Sequence, residues 1–541
     1  MKRPSPDPGA VHGADTTVAA PRVVRREIQE FLRTHEQRRR QLPRAVIVGL
    51  AVGLTAVAFR GTLDWEEPLR MRALEAAHAF GFLGLLVVLS ATTGAAAFAV
   101  WLVKRFSPEA SGSGIPQVKA VVRNLRPMPW ARILVVKFVG GAVGIGAGLA
   151  LGREGPTIQM GAAIGEMVRG WFDSTPRERR TLIAAGAGAG LSAAFNAPLA
   201  GLVFVLEELQ GDFAPAVFAT ALVASVVADL TTRLLLGQLP VFHVSGTTIP
   251  PLGALPLSLV LGVFAALLGM AFNRGLLASL DAFQQIARRR PWYAGAVAGA
   301  IVGMLGWFVP AALGSGNRLV EATLHGAIKL PWLAVCFVIR FGLTMVSYGC
   351  GAAGGIFAPL LVLGAQIGLA VGIVAQRWFP AIVIDAPTFA VVGMAAYFTA
   401  IVRAPLTGIV LIVEMTGNYY LILPLLVSSL TAYGLADFLG DRPIYEALLQ
   451  RDLLRGQEEP LLEKTLLIDF TVASGAPFEG RTVRELGLPP GCVLVLLRRG
   501  IREEVPSASS RLEAGDKLTA VIAAGAERAI RLLETGTGAE P

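Results

Sequence analysis

The chain has 541 residues, of which 54% are hydrophobic and 16% charged, whereas soluble domains carry roughly 25% charged residues. This composition, with a mean hydropathy of +0.59, excludes an ordinary soluble protein and predicts an all-α protein that crosses the membrane several times. The net charge of +9 does not indicate a nucleic-acid partner, because the excess lies just before the first apolar stretch, where positive charge marks the cytoplasmic side.

Charge density divides the chain into three parts. Residues 1–44 form a basic N-terminal arm, residues 45–450 form a membrane region with few charges, and residues 460–535 form a charged tail. We expect a multi-pass protein of the cell (inner) membrane, with the arm and the tail both in the cytoplasm.

The membrane region contains many apolar stretches, and several are shorter than the roughly 20 residues that a full span needs. Gly and Pro motifs such as FNAPLAG and VRAPLTG interrupt others. Such short, broken segments predict helices that stop inside the membrane around a binding site. The stretches lie near 45–59, 81–103, 131–151, 181–206, 214–236, 255–280, 293–313, 331–347, 356–375, 388–402 and 405–435.

An internal repeat relates the two parts of this region. The segment 152–165 aligns with 355–368 on the pattern G-x-x-x-P-x-x-x-x-G-A-x-I-G, at an offset of 203 residues. Two further matches occur in the same order at nearly the same offset. APLAGLVFVLE (197–207) aligns with APLTGIVLIVE (404–414), and GSG (112–114) aligns with GSG (314–316). The repeat predicts two related halves, about 45–245 and 250–445, with a site where they meet. Similarity alone leaves open whether the halves are inverted or parallel.

Three Gly/Pro motifs stand at predicted helix starts: GSGIP, GREGP and GIFAP. The first N–H groups of a helix are free donors with partial positive charge. Three helix starts aimed at one point would bind an anion without a full positive charge that would hold it too tightly. We therefore predict an anion site where the motifs meet.

These patterns separate acidic residues with a predicted role in transport from acidic residues with a predicted structural role. Glu154 lies within GREGP, where its carboxylate can occupy the place of an anion and, once protonated, can leave it. The repeat pairs Glu207 with Glu414, so these two are predicted to be structural. Glu208 has no acidic counterpart and is a candidate for a second proton-carrying residue.

The charged tail has the pattern of a small α+β domain. TLLIDFTVA and CVLVLLRRG predict strands, TVREL a short helix, AGDKLTAVIA a turn and strand, and AERAIRLLE a closing helix. The series SGAPFEGRTVRELGLPPGCVLVLLRRG…RLEAGDKL resembles the TrkA C-terminal domain. That resemblance implies a cytoplasmic regulatory module that binds a small ligand or dimerises, and a passive stabilising role is the alternative.

GSGIP, GREGP, GGIFAP and RPIYEAL, in this order, resemble the signature stretches of the CLC chloride channel and transporter family. The resemblance covers about 45–450. It implies two inverted-topology halves of tilted, partly discontinuous helices, a homodimer with one pore per subunit, and chloride as the bound substrate. One departure is that GSGIP runs into QVK, where close bacterial relatives have acidic residues.

The resemblance also implies roles for particular residues. The chloride-binding set is Ser113, Gly114, Ile356, Phe357 and Tyr445, in which Ser113 and Tyr445 supply hydroxyls and Ile356 and Phe357 supply backbone N–H groups.

Glu154 is then the gating glutamate and external proton acceptor, and Glu208 is the internal proton site. The presence of Glu208 favours chloride/proton exchange, and a passive voltage- or pH-gated chloride channel is the alternative.

The residue types give no support to a cofactor, a metal or an enzyme. The three cysteines and five histidines have spacings that match neither a metal site nor a disulfide framework. Ser113 stands in SGSG rather than in the G-x-S-x-G of a nucleophile elbow. We therefore expect no cofactor, no metal ligand and no enzymatic activity, and we expect chloride, protons and the lipid bilayer as partners.

Overall fold

The structure is a computed structural model that describes residues 22–172, 174–211, 214–238, 241–242, 250–383, 385–455, 466–499, 502–523 and 527–538. The first 21 residues of the predicted basic arm, and the start of the predicted tail domain, residues 460–465, lie outside the described residues. The chain forms two compact units, Met1–Leu449 and Gln450–Pro541.

The described secondary-structure elements of the first unit are helices, apart from isolated β-bridges between loop residues. Its first half contains α1 Arg22–His78, α2 Gly81–Phe106, α3 Ile115–Val122, α4 Trp130–Gly146, α5 Glu154–Arg169, α6 Pro176–Phe195, α7 Pro198–Phe204 and α8 Pro215–Leu236. Its second half contains α9 Leu255–Ala287, α10 Trp292–Phe308, α11 Asn317–Leu324, α12 Leu330–Gly349, α13 Phe357–Trp378, α14 Pro387–Val402, α15 Pro405–Thr416 and α16 Ile422–Phe438, and α17 Ile444–Arg455 follows.

Helices stop where Gly and Pro interrupt the apolar sequence. In FNAPLAG, α6 ends at Phe195 and Pro198 begins α7, and in VRAPLTG, α14 ends at Val402 and Pro405 begins α15. Pro is suited to these starts because its missing N–H has no intrahelical partner there. Among the described residues, seven helices are long and apolar enough to cross a membrane, so the chain is a multi-pass membrane protein in which shorter helices fill the interior.

The two halves repeat each other helix by helix. The short helices α3 and α11 each have eight residues and each follow a Gly-Ser-Gly turn that ends in a left-handed glycine, Gly114 with φ 85° and Gly316 with φ 83°. A buried cation lies beneath each turn: Lys137 donates to the carbonyl of Ala110, and Arg340, 203 residues later, donates to that of Ala312. The sequence repeat therefore corresponds to a repeated structure.

Two glutamates show that the halves are inverted. Glu207, just beyond α7, accepts N–H groups of Leu406 and Thr407 at the start of α15, at 3.0 and 2.7 Å. Glu414, near the end of α15, accepts N–H groups at the start of α7 at 3.1 and 2.8 Å. Because the end of each helix meets the start of the other, α7 and α15 are antiparallel. The orientation that the sequence left open is therefore inverted, and Glu207 and Glu414 are helix caps, as the repeat predicts.

Glycines allow the central helices to pack with their backbones in contact. A Cβ on Gly161 of α5 would lie 2.1 Å from the carbonyl oxygen of Gly186 on α6. In the second half, a Cβ on Gly364 of α13 would lie 2.6 Å from the carbonyl oxygen of Gly393 on α14. Small residues at such crossings are typical of helix packing in membranes, and here they pack α5 and α13, the helices that begin at the central motifs, against α6 and α14.

The residues of the second unit that the structure describes after α17 form a four-stranded antiparallel sheet and one α-helix. The strands are β1 Leu466–Thr471, β2 Cys492–Arg499, β3 Arg502–Glu504 and β4 Lys517–Ile522, in the order β1-β4-β2-β3, and α18 spans Glu527–Thr537. The predicted short helix in TVREL is a single 3₁₀ turn, and β3 is an edge strand that the sequence patterns do not predict. Leu494, Leu518 and Leu533 lie in its apolar core.

Candidate functional site: a junction of three loops

The three Gly/Pro motifs meet at the centre of the first unit. Gly112 donates to the carbonyl of Ala352, and Gly354 donates back to Gly112, both at 3.0 Å. Gly152 and Gly355, which the repeat aligns, exchange two backbone hydrogen bonds of 2.7 and 2.8 Å. GSGIP, GREGP and GGIFAP therefore converge, as the sequence predicts, and the starts of α3, α5 and α13 lie together.

The junction is too tight for any side chain at Gly155. A Cβ there would lie 2.7 Å from the carbonyl oxygen of Ser113 and 2.8 Å from the Cα of Gly355. Real Cβ atoms essentially never come so close, so only glycine allows the three segments to touch at this point.

The Glu154 carboxylate lies on the helix start of the opposite half. Glu154 is the first residue of α5, is 2% exposed, and accepts the N–H of Ala358 on α13 at 3.4 Å. The adjacent Arg153 lies 3.8 Å from Asp64. A helix N-terminus favours a negative group, and here that group is the Glu154 carboxylate.

The GSG turn presents two further groups to the junction. The Oγ of Ser113 accepts the N–H of Ile115 at 3.4 Å, which leaves its own O–H available to donate. Gly114 has a left-handed backbone, and a Cβ on it would lie 2.3 Å from the side-chain oxygen of Gln159. Both residues are at the start of α3, where backbone N–H groups are free donors.

The remaining predicted chloride-binding residues are also buried. Ile356 and Phe357 lie at the start of α13, and both are 0% exposed. The Tyr445 hydroxyl is buried and has no hydrogen-bond partner among the described residues. Tyr445 lies within electrostatic range of both Glu154 and Glu208. Its buried hydroxyl is therefore available to donate a hydrogen bond.

Lys137 is a site residue that the sequence analysis missed. It is 0% exposed and donates to the carbonyls of Ala110 and Gly112 at 3.0 and 2.6 Å. These hydrogen bonds fix the GSG turn from behind. The signal was present, because an ionisable residue inside the apolar stretch 131–151 is a functional candidate by default.

Glu208 lies away from the three loops, in a π-helical turn over Val205–Gln210 that follows α7. Its carboxylate is 2.8 Å from the ammonium of Lys119, and the same ammonium is 2.8 Å from Glu446. The QVK departure noted in the sequence therefore places a cation directly on the candidate proton-carrying residue.

Comparisons with known proteins agree with this geometry. The profile of the voltage gated chloride channel family matches residues 95–437, and that of the TrkA-C domain matches residues 467–533. The H(+)/Cl(-) exchange transporter ClcA of Salmonella typhi is 41% identical over 82% of this chain and 96% of its own length. The ClcA of Klebsiella pneumoniae (strain 342) is 42% identical over 77% of this chain and 89% of its own length.

A solved structure has the same architecture. The crystal structure of a slow cyanobacterial Cl⁻/H⁺ antiporter superimposes with a TM-score of 0.75 at 37% identity, covering 77% of this chain and 99% of that one. Since a family profile matches more than half of the chain and the relatives are matched along most of their length, the chain belongs to the voltage gated chloride channel (CLC) family, and it carries a TrkA-C domain after the membrane region.

Proposed function

We propose that this protein exchanges chloride for protons across the membrane. The observation that carries the proposal is the Glu154 carboxylate, which accepts the N–H of Ala358 at the N-terminus of α13, at the junction of three helix starts. The names of the ClcA relatives and of the cyanobacterial antiporter support exchange over passive conduction.

Chloride is the bound substrate, and the groups around it are weak donors. Ser113 and Tyr445 offer hydroxyls, and Gly114, Ile356 and Phe357 line the site with backbone at helix starts. Such donors stabilise an anion without a full charge in contact with it, so the ion can leave again.

Glu154 couples the two ions because its two states exclude each other. As a carboxylate it competes with chloride for the same N–H groups, and as a neutral acid it gives up that place. Protonation of Glu154 from the outer side therefore frees that place for chloride, and the chloride moves outward while the proton moves inward. Glu208, near the other end of the path, exchanges protons with the inner solution.

Assembly and location follow from the family. We propose a homodimer in the cell (inner) membrane with both termini in the cytoplasm. The TrkA-C domain is proposed to be a regulatory module with a small ligand. Deleting residues 460–541 is expected to leave transport intact and to change its regulation; a folded but inactive truncation would contradict a purely regulatory role.

The experiment is an uphill proton assay in liposomes. With a chloride gradient imposed, the pH equal on both sides and the voltage held at zero, exchange predicts that the chloride gradient drives protons across the membrane. This movement is detected as a change of external pH. Glu154→Gln serves as the matched uncoupled control. Chloride flux without proton movement in the wild type would instead indicate a passive channel, in which Glu154 is only a gate.

A further inference from the structure

Glu208 shares a single lysine with a second carboxylate. Lys119, on α3, places its ammonium 2.8 Å from Glu208 and 2.8 Å from Glu446 of α17. The side chains of Lys119 and Glu208 are only 3% and 8% exposed. A buried charge is stable only when it is paired, and here one buried ammonium neutralises part of two carboxylates at once.

The cluster extends from the interior to the surface. Arg123 donates two hydrogen bonds to Glu446, at 2.8 and 3.3 Å, and these two side chains are 48% and 39% exposed. Charges therefore alternate along the series Glu208, Lys119, Glu446 and Arg123. The two-pronged contact from Arg123 fixes Glu446, and Glu446 in turn holds Lys119 from the solvent side.

Several charged groups on the elements packed around Glu208 have partners other than Glu208. Glu207, its neighbour in the same turn, caps the start of α15. On α8, Asp229 and Arg233 pair with each other at 2.7 Å. On α6, Arg179 pairs with Glu166 at 2.9 Å.

Helix α7 carries no charged residue, and Tyr445 on α17 adds a neutral hydroxyl. Lys119 is the cation in direct contact with Glu208.

We propose that Lys119 is a positioning residue that sets the pH range over which Glu208 exchanges protons, and that Glu446 adjusts this range by competing for the same ammonium. The proposal rests on the proposed function, in which Glu208 is the inner proton site. When Glu208 takes up a proton, Lys119 stays bound to Glu446. When Glu208 releases the proton, Lys119 bridges both carboxylates again.

The test is an infrared titration of the full-length protein, which follows the carbonyl stretch of protonated carboxyl groups. The band that disappears in Glu208→Gln reports Glu208. Lys119→Met is expected to move its midpoint to higher pH by about 1 to 3 units, the usual influence of a neighbouring opposite charge. Lys119→Arg keeps the charge and is expected to leave the midpoint near that of the wild type.

Glu446→Gln gives the opposite sign. It removes one negative charge and leaves Lys119 to Glu208 alone, so the midpoint is expected to move to lower pH, by less than in Lys119→Met. If Lys119 had only a structural role, Lys119→Met and Glu446→Gln would not shift the titration midpoint of Glu208 in opposite directions. If Lys119→Met fails to fold, the Glu446→Gln shift still decides the matter.

Equal midpoints in the wild type, Lys119→Met and Glu446→Gln would overturn the proposal, and so would the absence of any band that Glu208→Gln removes. The titration needs no transport, so a parallel liposome assay separates the two claims. Opposite shifts without proton transport in the wild type would refute exchange and keep the role of Lys119. Proton transport with unmoved midpoints would keep exchange and refute that role.

Discussion

The two halves of the membrane unit have the same backbone plan and different chemistry. At the repeat offsets, Glu154 in the first half corresponds to Phe357 in the second, Glu208 to Met415, and Lys119 to Glu321. Residues that support the fold are retained in both, such as the capping pair Glu207 and Glu414. In the proposed mechanism, the symmetric backbone supplies the place for the anion, whereas departures from symmetry supply the proton-carrying groups.

The largest effect is expected where this asymmetry is removed. Glu154→Gln makes the position permanently neutral, so proton flux should fall to the background of empty liposomes while chloride flux persists. Phe357→Leu, at the equivalent position, keeps its backbone N–H and should keep coupling. Parallel chloride and pH recordings check both variants, and proton transport that survives in Glu154→Gln would remove Glu154 from its role.

A second comparison concerns the junction itself. Gly155→Ala puts a methyl against the backbone of Ser113 and Gly355 and should cost about 1 to 3 kcal/mol of stability, with a collapse of both fluxes. Ala358→Gly, its repeat-related control, only adds backbone freedom and should cost about 0.5 to 1 kcal/mol. Thermal unfolding and chloride flux measure the difference, and a fully active, stable Gly155→Ala would contradict the tight junction.

The two helix caps should behave alike. Glu207→Gln and Glu414→Gln each replace a carboxylate that accepts two N–H groups, so each should lose about 1 kcal/mol of stability and keep proton coupling. Thermal unfolding should show similar shifts for both. An uncoupled Glu207→Gln beside a coupled Glu414→Gln would show that the first half uses its cap for proton transport as well.

The smallest effect on transport is expected in the second unit. Burial by itself would raise the pKa of Asp516, but hydrogen bonds from Arg499 and from the N–H of Glu513 outweigh burial and lower it. Its stabilisation is therefore present at neutral pH and is lost in acid, as the pH falls through that lowered pKa.

Asp516→Asn should destabilise the tail by about 1.5 to 3 kcal/mol. It should also make the stability of the tail depend less on pH in the acid range. Circular dichroism of the full chain against pH, with a parallel flux assay, checks this. A transport defect in Asp516→Asn would mean that the tail acts directly on the pore.

Short sequence patterns predicted where helices end and which glutamates have a structural role. Gly and Pro predicted the helix breaks at Phe195 and Val402, and the repeat predicted the structural role of Glu207 and Glu414. The inverted orientation of the halves could not be predicted from the sequence, because the repeated segments align equally well whether the halves are inverted or parallel. The Lys119–Glu446 contact joins residues more than 300 positions apart, and only the folded chain brings them together. The short edge strand β3 pairs through backbone groups and has no side-chain pattern of its own.

The most direct test of the central claim is anomalous diffraction from crystals grown in bromide, comparing the wild type with Glu154→Gln at neutral pH. Competition for one seat predicts no bromide beside the N–H of Ala358 in the wild type, where the Glu154 carboxylate lies, and a bromide at that N–H in Glu154→Gln. An empty seat in Glu154→Gln, or a bromide there in the wild type with the carboxylate still in place, would contradict the exchange of places between Glu154 and the anion.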